Sequence, residues 1–199
     1  ITSKGGIDLC AFCRTPLALS DEDSNKRVKK LMDSDNAYSF YMLARCYAIG
    51  KMGMPQDFQK ANELYLRAGE LGCPVAYYNL GQSYRDGSGG LEVDEKKATY
   101  YYELAAIGGS AQARNNLGCL EEDGGNYDRA FKHWKIAARA GHENSLDAVK
   151  QGFKLGLVTK DEYASTLRAY HERQKETKSE ERDEAAKVLA SMRRRGFRS

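Results

Sequence analysis

The chain has 199 residues, 41% of them hydrophobic and 30% charged, and its formal net charge is +3. This length is sufficient for a sizeable buried core. No apolar run reaches the roughly 18 residues that would predict a membrane-spanning helix, so we expect no membrane partner. The basic excess lies entirely in residues 172–199. The rest is balanced in charge, which argues against the clustered basic surface that nucleic-acid binding requires.

Two cysteines near the start, Cys10 and Cys13, have a spacing that metal sites use. A Cys-x-x-Cys pair on a tight turn can direct two thiolates at one tetrahedral zinc ion. A structural zinc site needs four ligands, and all three histidines lie much further along the chain. Taken alone, the pair is therefore a weak signal, and two ordinary thiols are an alternative.

The surrounding sequence, "CAFCRTPL", resembles the last zinc-ligand pair of a RING-type zinc finger, which normally reads Cys-Pro-x-Cys-Arg-x-Pro. This resemblance implies that residues 1–19 are the remnant of a RING-like finger whose other six ligands precede Ile1. Zinc would then be a cofactor only when that upstream part is present. The resemblance also implies that Arg14 and Pro16 contact ubiquitin or its conjugating enzyme. Another kind of zinc module is an alternative.

Residues 20–36 predict a charged linker helix that leads into a repeated region. Four similar segments then recur at intervals of thirty-seven, thirty-seven and thirty-two residues. These segments are "SFYMLARCYAIG", "AYYNLGQSYRDG", "ARNNLGCLEEDG" and "SLDAVKQGFKLG". Each carries Leu or Val in one column and ends in Gly, and the first three carry a small residue directly after that Leu. A fixed period of this size is typical of stacked supersecondary units.

A second segment follows each of the first three copies. The three read "DFQKANELYLRAGELG", "DEKKATYYYELAAIGG" and "NYDRAFKHWKIAARAG". Ala, an aromatic residue and a second Ala recur in them at i, i+4 and i+7, which is one stripe of a helix. Asp57, Asp94 and Asn126 precede this stripe as N-caps. A glycine closes each segment, as expected for a left-handed residue after a helix. Each unit is therefore predicted to be a helix, a loop and an antiparallel helix.

Small side chains occupy the two columns where such paired helices would touch. Gly81 costs about 1 kcal/mol relative to Ala in mid-helix, and close helix packing explains why it is kept. The second unit, "AYYNLGQSYRDGSGGLEVDEKKATYYYELAAIGG", resembles the Sel1-like repeat (SLR) family, a branch of the tetratricopeptide-like (TPR-like) helical solenoids. The resemblance covers about residues 37–156. It implies an all-α, right-handed α-α solenoid of helix-turn-helix repeats, with three full units and a degenerate fourth.

Residues 157–199 are predicted to complete the degenerate repeat and to cap it with a C-terminal helix. Thr159 and Glu162 have the spacing of a capping box, and they begin the second helix of the fourth unit. The last helix begins after Ser179, with acidic residues early and arginines late, which matches the helix dipole.

The resemblance also predicts a binding surface. In the related tetratricopeptide solenoids, the first helices of the units line a concave groove that holds extended peptides or helices. By alignment, the groove residues here are Tyr41, Arg45, Tyr78, Gln82, Arg85 and Asn115. Tyrosines and amides suit aromatic and hydrogen-bonding contacts, and arginines suit carboxylates. Ordinary solvated positions are the alternative.

No catalytic constellation is apparent, so we expect no enzyme activity from this chain. The glycine-rich "GSGG" at 87–90, for example, lacks the Lys-Ser/Thr of a phosphate-binding loop. The leading hypothesis is a protein–protein interaction scaffold, the substrate-recruiting part of a RING-type ubiquitin ligase whose finger holds a ubiquitin-conjugating enzyme. A plain adaptor with no ubiquitin role is the alternative, and a hydrolase on the same fold is a more remote one.

The remaining cysteines, Cys46, Cys73 and Cys119, have no partner at metal-ligand spacing. Free thiols fit a reducing compartment better than a secretory one, and no secretory signal is visible. We therefore expect an intracellular, cytoplasmic protein.

Overall fold

In a computed structural model of the chain, residues 36–177 are described without a gap, together with 26, 30, 33–34 and 187. Several predictions from the sequence fall outside these residues. They concern the zinc pair Cys10 and Cys13, the contacts of Arg14 and Pro16, most of the linker helix and the C-terminal helix.

The described part of the chain contains eight helices and no strand, which confirms the all-α prediction. They are α1 (Ala37–Ile49), α2 (Phe58–Glu70), α3 (Pro74–Asp86), α4 (Glu95–Ile107), α5 (Ala111–Asp123), α6 (Tyr127–Arg139), α7 (Glu143–Lys154) and α8 (Lys160–Thr177). Each helix packs against the next, and the tightest packing is within the pairs α1–α2, α3–α4 and α5–α6. We call α1, α3, α5 and α7 the first helices, and the others the second helices. The pairs stack in sequence as a helical solenoid.

The predicted small-residue columns lie where the paired helices touch. Ala61, Ala98 and Ala130 are at most 1% exposed. A Cβ atom added to Gly81 would lie 2.6 Å from Cδ1 of Tyr102 and 3.2 Å from the carbonyl oxygen of Ala98. The ring of Tyr102 therefore occupies the space that a side chain at position 81 would need, and Gly118 makes the same allowance for Trp134 in the third unit.

In the three full units, the N-caps of the second helices follow the sequence in two. The carboxylates of Asp57 and Asp94 accept hydrogen bonds from the backbone N–H groups of Lys60 and Lys97, each at 3.0 Å. The N-cap prediction for Asn126 is wrong in its mechanism, because the Asn126 side chain makes no capping hydrogen bond. The shorter loop there gives Asn126 a ψ of 60° rather than the extended ψ near 97° of the two aspartates.

In the third unit, Glu121 occupies the position that Tyr47 and Tyr84 hold in the first two units. The ammonium groups of Lys60 and Lys97 lie 4.5 Å and 5.0 Å from the ring centroids of Tyr47 and Tyr84. In the third unit, the equivalent pair is Arg129 and Glu121, whose side chains form an ion pair at 2.9 Å. A salt bridge thus replaces the cation–π contact at the same position, and the antiparallel arrangement is retained.

The fourth unit departs from the others in how its helices pack. The capping box predicted at Thr159 is present, since its hydroxyl accepts from the Glu162 N–H and the Glu162 carboxylate accepts from the Thr159 N–H. Glu162 also forms an ion pair with Lys135 of α6. Lys150, which breaks the small-residue column, is exposed, so this column does not form the contact surface in the last pair.

Candidate functional site

The predicted groove residues lie on three successive first helices: two are four positions apart on α1, three stand at i, i+4 and i+7 on α3, and one lies on α5. We call this surface the first-helix face, and it comprises Tyr41, Arg45, Tyr78, Gln82, Arg85 and Asn115. Arg45 is exposed and the other five are half-buried. Partly exposed polar and aromatic side chains of this kind can contact a ligand, whereas the fully buried Leu columns beside them cannot.

Aromatic side chains of the second helices support the face from below. The ring of Tyr102 is fully buried and its centroid is 6.0 Å from that of Tyr78. Its hydroxyl donates to Oε1 of Gln82 at 3.2 Å. In the first unit, Tyr65 lies 6.1 Å from Tyr41, and burial raises the pKa of Tyr65 to about 12. These phenols therefore stay protonated and act as fixed hydrogen-bonding groups at the base of the face.

Two asparagines complete this layer, and sequence reasoning missed both. Asn116 Nδ2 donates to Gln82 Oε1 at 3.4 Å, which joins α5 to α3. Asn79 holds the equivalent position in the second unit and lies near the phenol of Tyr65, where it slightly offsets the effect of burial on the pKa of that group. The signal was present, because Asn directly precedes Leu-Gly in both "YYNLG" and "RNNLG".

A further bridge connects the face to the fourth unit. The Ser145 hydroxyl donates to Asn115 Oδ1 at 2.8 Å. The backbone N–H of Ser145 donates to Nδ1 of His142, the N-cap of α7, at 3.3 Å. Burial lowers the pKa of His142, which favours the neutral imidazole that this cap requires. Asn115 is thus held in place by the unit that follows it.

These bridges divide the face into two kinds of residue. The polar atoms of Gln82 and Asn115 are largely engaged within the chain, since Gln82 also donates to Asp86 and Asn115 to Asn116. The two arginines differ from these amides, because no carboxylate of residues 36–177 pairs with them, although Arg85 interacts with the phenol of Tyr102. Arg45 lies over the ring of Tyr41, with Cζ at 5.8 Å from the centroid. Within residues 36–177, neither Arg45 nor Arg85 forms an ion pair.

The charge of the face changes along the solenoid. Arg45 and Arg85 make it basic in the first two units, whereas in the third unit the exposed Glu122 occupies the position that aligns with Arg85 and Asp123 follows it. Cys119 lies between these regions and interacts with charges from both. Its pKa is raised because burial disfavours the thiolate, so this half-buried thiol is not an activated nucleophile.

The described part of the chain offers little for other chemistry. No three His, Cys, Asp or Glu side chains in it come together as a metal site, and none of its helices is long and apolar enough to cross a membrane. Cys46, Cys73 and Cys119 are free thiols. The ring of His133 is half-buried, and within residues 36–177 no group hydrogen-bonds to its Nδ1; burial, assisted by the positive charge of Arg114, lowers its pKa.

Comparison with known sequences identifies the repeat. The Sel1 repeat matches residues 37–73, 74–110 and 111–142, which together make up more than half of the chain. These boundaries coincide with the helix pairs α1–α2, α3–α4 and α5–α6. Among curated proteins, no significant match is found.

Comparison with solved structures agrees on the fold. A Sel1 repeat protein from Oxalobacter formigenes is 26% identical with a TM-score of 0.63, covering 76% of this chain and 64% of that one. The protein c5321, a protective antigen present in uropathogenic Escherichia coli strains and displaying an SLR fold, is also 26% identical with a TM-score of 0.63. That match covers 90% of this chain and 37% of c5321. The chain therefore spans less than two thirds of the length of either structure.

Proposed function

Because the chain belongs to the Sel1 repeat family, we propose that it is a protein–protein interaction scaffold whose first-helix face binds an extended segment of a partner protein. The role is positional: stacked helix pairs present one continuous surface, and the surface holds the partner in a fixed place. Solenoids of this type are suited to extended ligands because each unit adds the same set of surface positions to the next.

The observation that carries the proposal is the supported row of partly exposed side chains on three successive first helices. Tyr41 and Tyr78 have their rings fixed against the buried Tyr65 and Tyr102. Fixed tyrosines lose little conformational entropy on binding and are frequent in binding hot spots. Because buried rings hold these side chains in place, the face is more rigid than a set of freely solvated side chains.

The finer proposal is that the scaffold recruits substrates for a RING-type ubiquitin ligase. Its support is the resemblance of "CAFCRTPL" to the end of a RING finger, with Cys10 and Cys13 as zinc ligands and Arg14 and Pro16 at the contact with ubiquitin or its conjugating enzyme. The free thiols of the repeats suit a reducing, cytoplasmic location.

Affinity capture with chemical cross-linking tests the binding face. The full chain serves as bait in an extract of its natural host, beside a variant with Arg45→Ala and Tyr78→Ala. A control with Arg67→Ala and Tyr100→Ala removes the same residue types from the second helices, where both side chains are exposed. Proteins captured by the wild type and the control but lost by the first variant support the proposal. Equal capture by all three refutes it.

Zinc content and ubiquitin transfer test the ligase role. The natural protein, with whatever precedes Ile1, is compared with its Cys10→Ser/Cys13→Ser variant and with Cys73→Ser as a control. The ligase role predicts zinc and autoubiquitination that only the double variant loses. If the double variant keeps both, Cys10 and Cys13 are not zinc ligands of a ligase; if the natural protein has neither, the scaffold is an adaptor without a ubiquitin function.

A further inference from the structure

We infer that the segment bound at the first-helix face is acidic, with two carboxylates that pair with Arg45 and Arg85. This inference rests on the proposed function and specifies the chemistry of the partner. It follows from the state of the two arginines, the neutral groups around them and the reversal of charge in the third unit.

Of the two arginines, Arg85 gives the stronger evidence for an acidic partner. Its side chain is half-buried, and no carboxylate of residues 36–177 pairs with it. The acid next to it in sequence, Asp86, is engaged by the amide of Gln82. The polar group that it does interact with is the neutral phenol of Tyr102. A charge that is partly removed from water is normally paired, and its attraction for a counter-charge is stronger there than in bulk solvent.

Arg45 supplies the second cation in a geometry suited to a carboxylate. The guanidinium lies over the ring of Tyr41. Stacking on an aromatic ring leaves the N–H groups at the edge of the guanidinium free, and these form bidentate pairs with carboxylates. A phosphate or carboxylate would satisfy this donor pattern equally, but an unmodified protein segment offers carboxylates from Asp and Glu alone.

The two arginines lie on the first helices of successive units and are out of register by three positions, because Arg45 shares its column with Gln82. Extended chain advances about 3.3 Å per residue, so one segment that reaches both arginines places its two carboxylates several residues apart. The exposed Glu122 and Asp123 repel acids from the third unit. The acidic part of the segment therefore lies over the first two units.

Peptide binding to the full 199-residue chain tests this inference. Three fluorescein-labelled peptides have the same Gly/Ser/Leu background, and each carries at two sites, four positions apart, either Glu, Gln or Lys. Fluorescence anisotropy should show the Glu peptide binding about tenfold more tightly than the Gln peptide for each arginine engaged, with the Lys peptide weakest. Arg45→Gln and Arg85→Gln should each remove about tenfold from the affinity for the Glu peptide. Arg67→Gln, on a second helix, should leave it unchanged.

The outcomes separate the inference from the proposed function. Equal binding of the Glu and Gln peptides, both weakened by Tyr78→Ala, would overturn the carboxylate pairing while leaving the binding face in place. If Arg67→Gln weakened the binding of the Glu peptide as much as Arg85→Gln, the inference would also be overturned. The acidic peptide would then be attracted to positive charge anywhere on the chain. Failure of the Glu peptide to bind overturns it as well, and the capture experiment above then decides whether the face binds protein at all. Circular dichroism confirms that each variant is folded.

Discussion

Replacing Gly81 with alanine tests the packing that builds the solenoid. In an unconstrained helix, this change stabilises the protein by about 1 kcal/mol, because glycine has a lower helix propensity than alanine. Here the new Cβ would lie 2.6 Å from Cδ1 and 2.7 Å from Cε1 of Tyr102. Tyr102 is fully buried, and its hydroxyl is bonded to Gln82, so the ring has little freedom to move away.

Overpacking of this kind costs about 1–3 kcal/mol. Subtracting the gain in helix propensity, we expect Gly81→Ala to lower the free energy of unfolding by about 1 kcal/mol. The sign should reverse when the ring is removed. In a Tyr102→Leu background, the same Gly81→Ala change should raise the free energy of unfolding by at most about 1 kcal/mol, since the propensity gain is then opposed only by the 3.2 Å approach to the carbonyl oxygen of Ala98.

Urea unfolding of the four proteins in this double-mutant cycle, followed by far-ultraviolet circular dichroism, measures both values. Ala44 serves as a natural comparison, because it is an alanine in the same column of the first unit and is fully buried there. If Gly81→Ala stabilised the wild-type chain by the full propensity gain, the ring of Tyr102 would not occupy that space, and the proposed reason for the glycine would be refuted.

Three further changes probe the caps, the core and the response to pH. Asp94→Ala should lower the free energy of unfolding, whereas Asn126→Ala should lower it much less, because only the Asp94 side chain caps its helix; equal losses in urea titrations would contradict this. Ala98→Leu should cost about 1–3 kcal/mol by overpacking a fully buried contact, and an unchanged melting temperature would contradict it. The pKa of His142 is lowered by burial, so its stabilising effect is complete above the unfolded-state pKa of about 6.5 and is lost as pH falls below that value. The melting temperature of the His142→Asn variant should therefore fall less than that of the wild type between neutral and mildly acidic pH. An unchanged pH dependence would exclude a role for this cap.

The repeat architecture was predictable because the same pattern of packing and capping residues recurs in each unit. The period, the small residues at Gly81 and Ala98, and the aspartate caps each point independently to paired antiparallel helices, and agreement between such signals is what specifies a fold. A single chain with three copies in effect contains its own alignment. The columns of that internal alignment therefore suffice to distinguish buried positions from exposed ones.

The network beneath the binding face was not predictable in the same way. The alignment placed Gln82 and Asn115 among the ligand contacts, but it could not show that their amides are engaged by Tyr102 and Ser145. Such bonds depend on which side chains neighbouring units bring together, and the spacing of residues within one unit does not show this. The Arg129–Glu121 salt bridge, which replaces a cation–π pair, could not be predicted for the same reason. The two residues belong to different columns of the alignment, and the alignment does not show that these columns are in contact.

Hydrogen–deuterium exchange of the full chain, alone and bound to a purified captured partner, tests the binding face most directly. Because the partner is proposed to lie on the first helices, peptides from α1, α3 and α5 should gain protection in the complex. Peptides from α2, α4 and α6 should exchange as in the free chain. Protection confined to the second helices, with the first helices unchanged, would contradict the account.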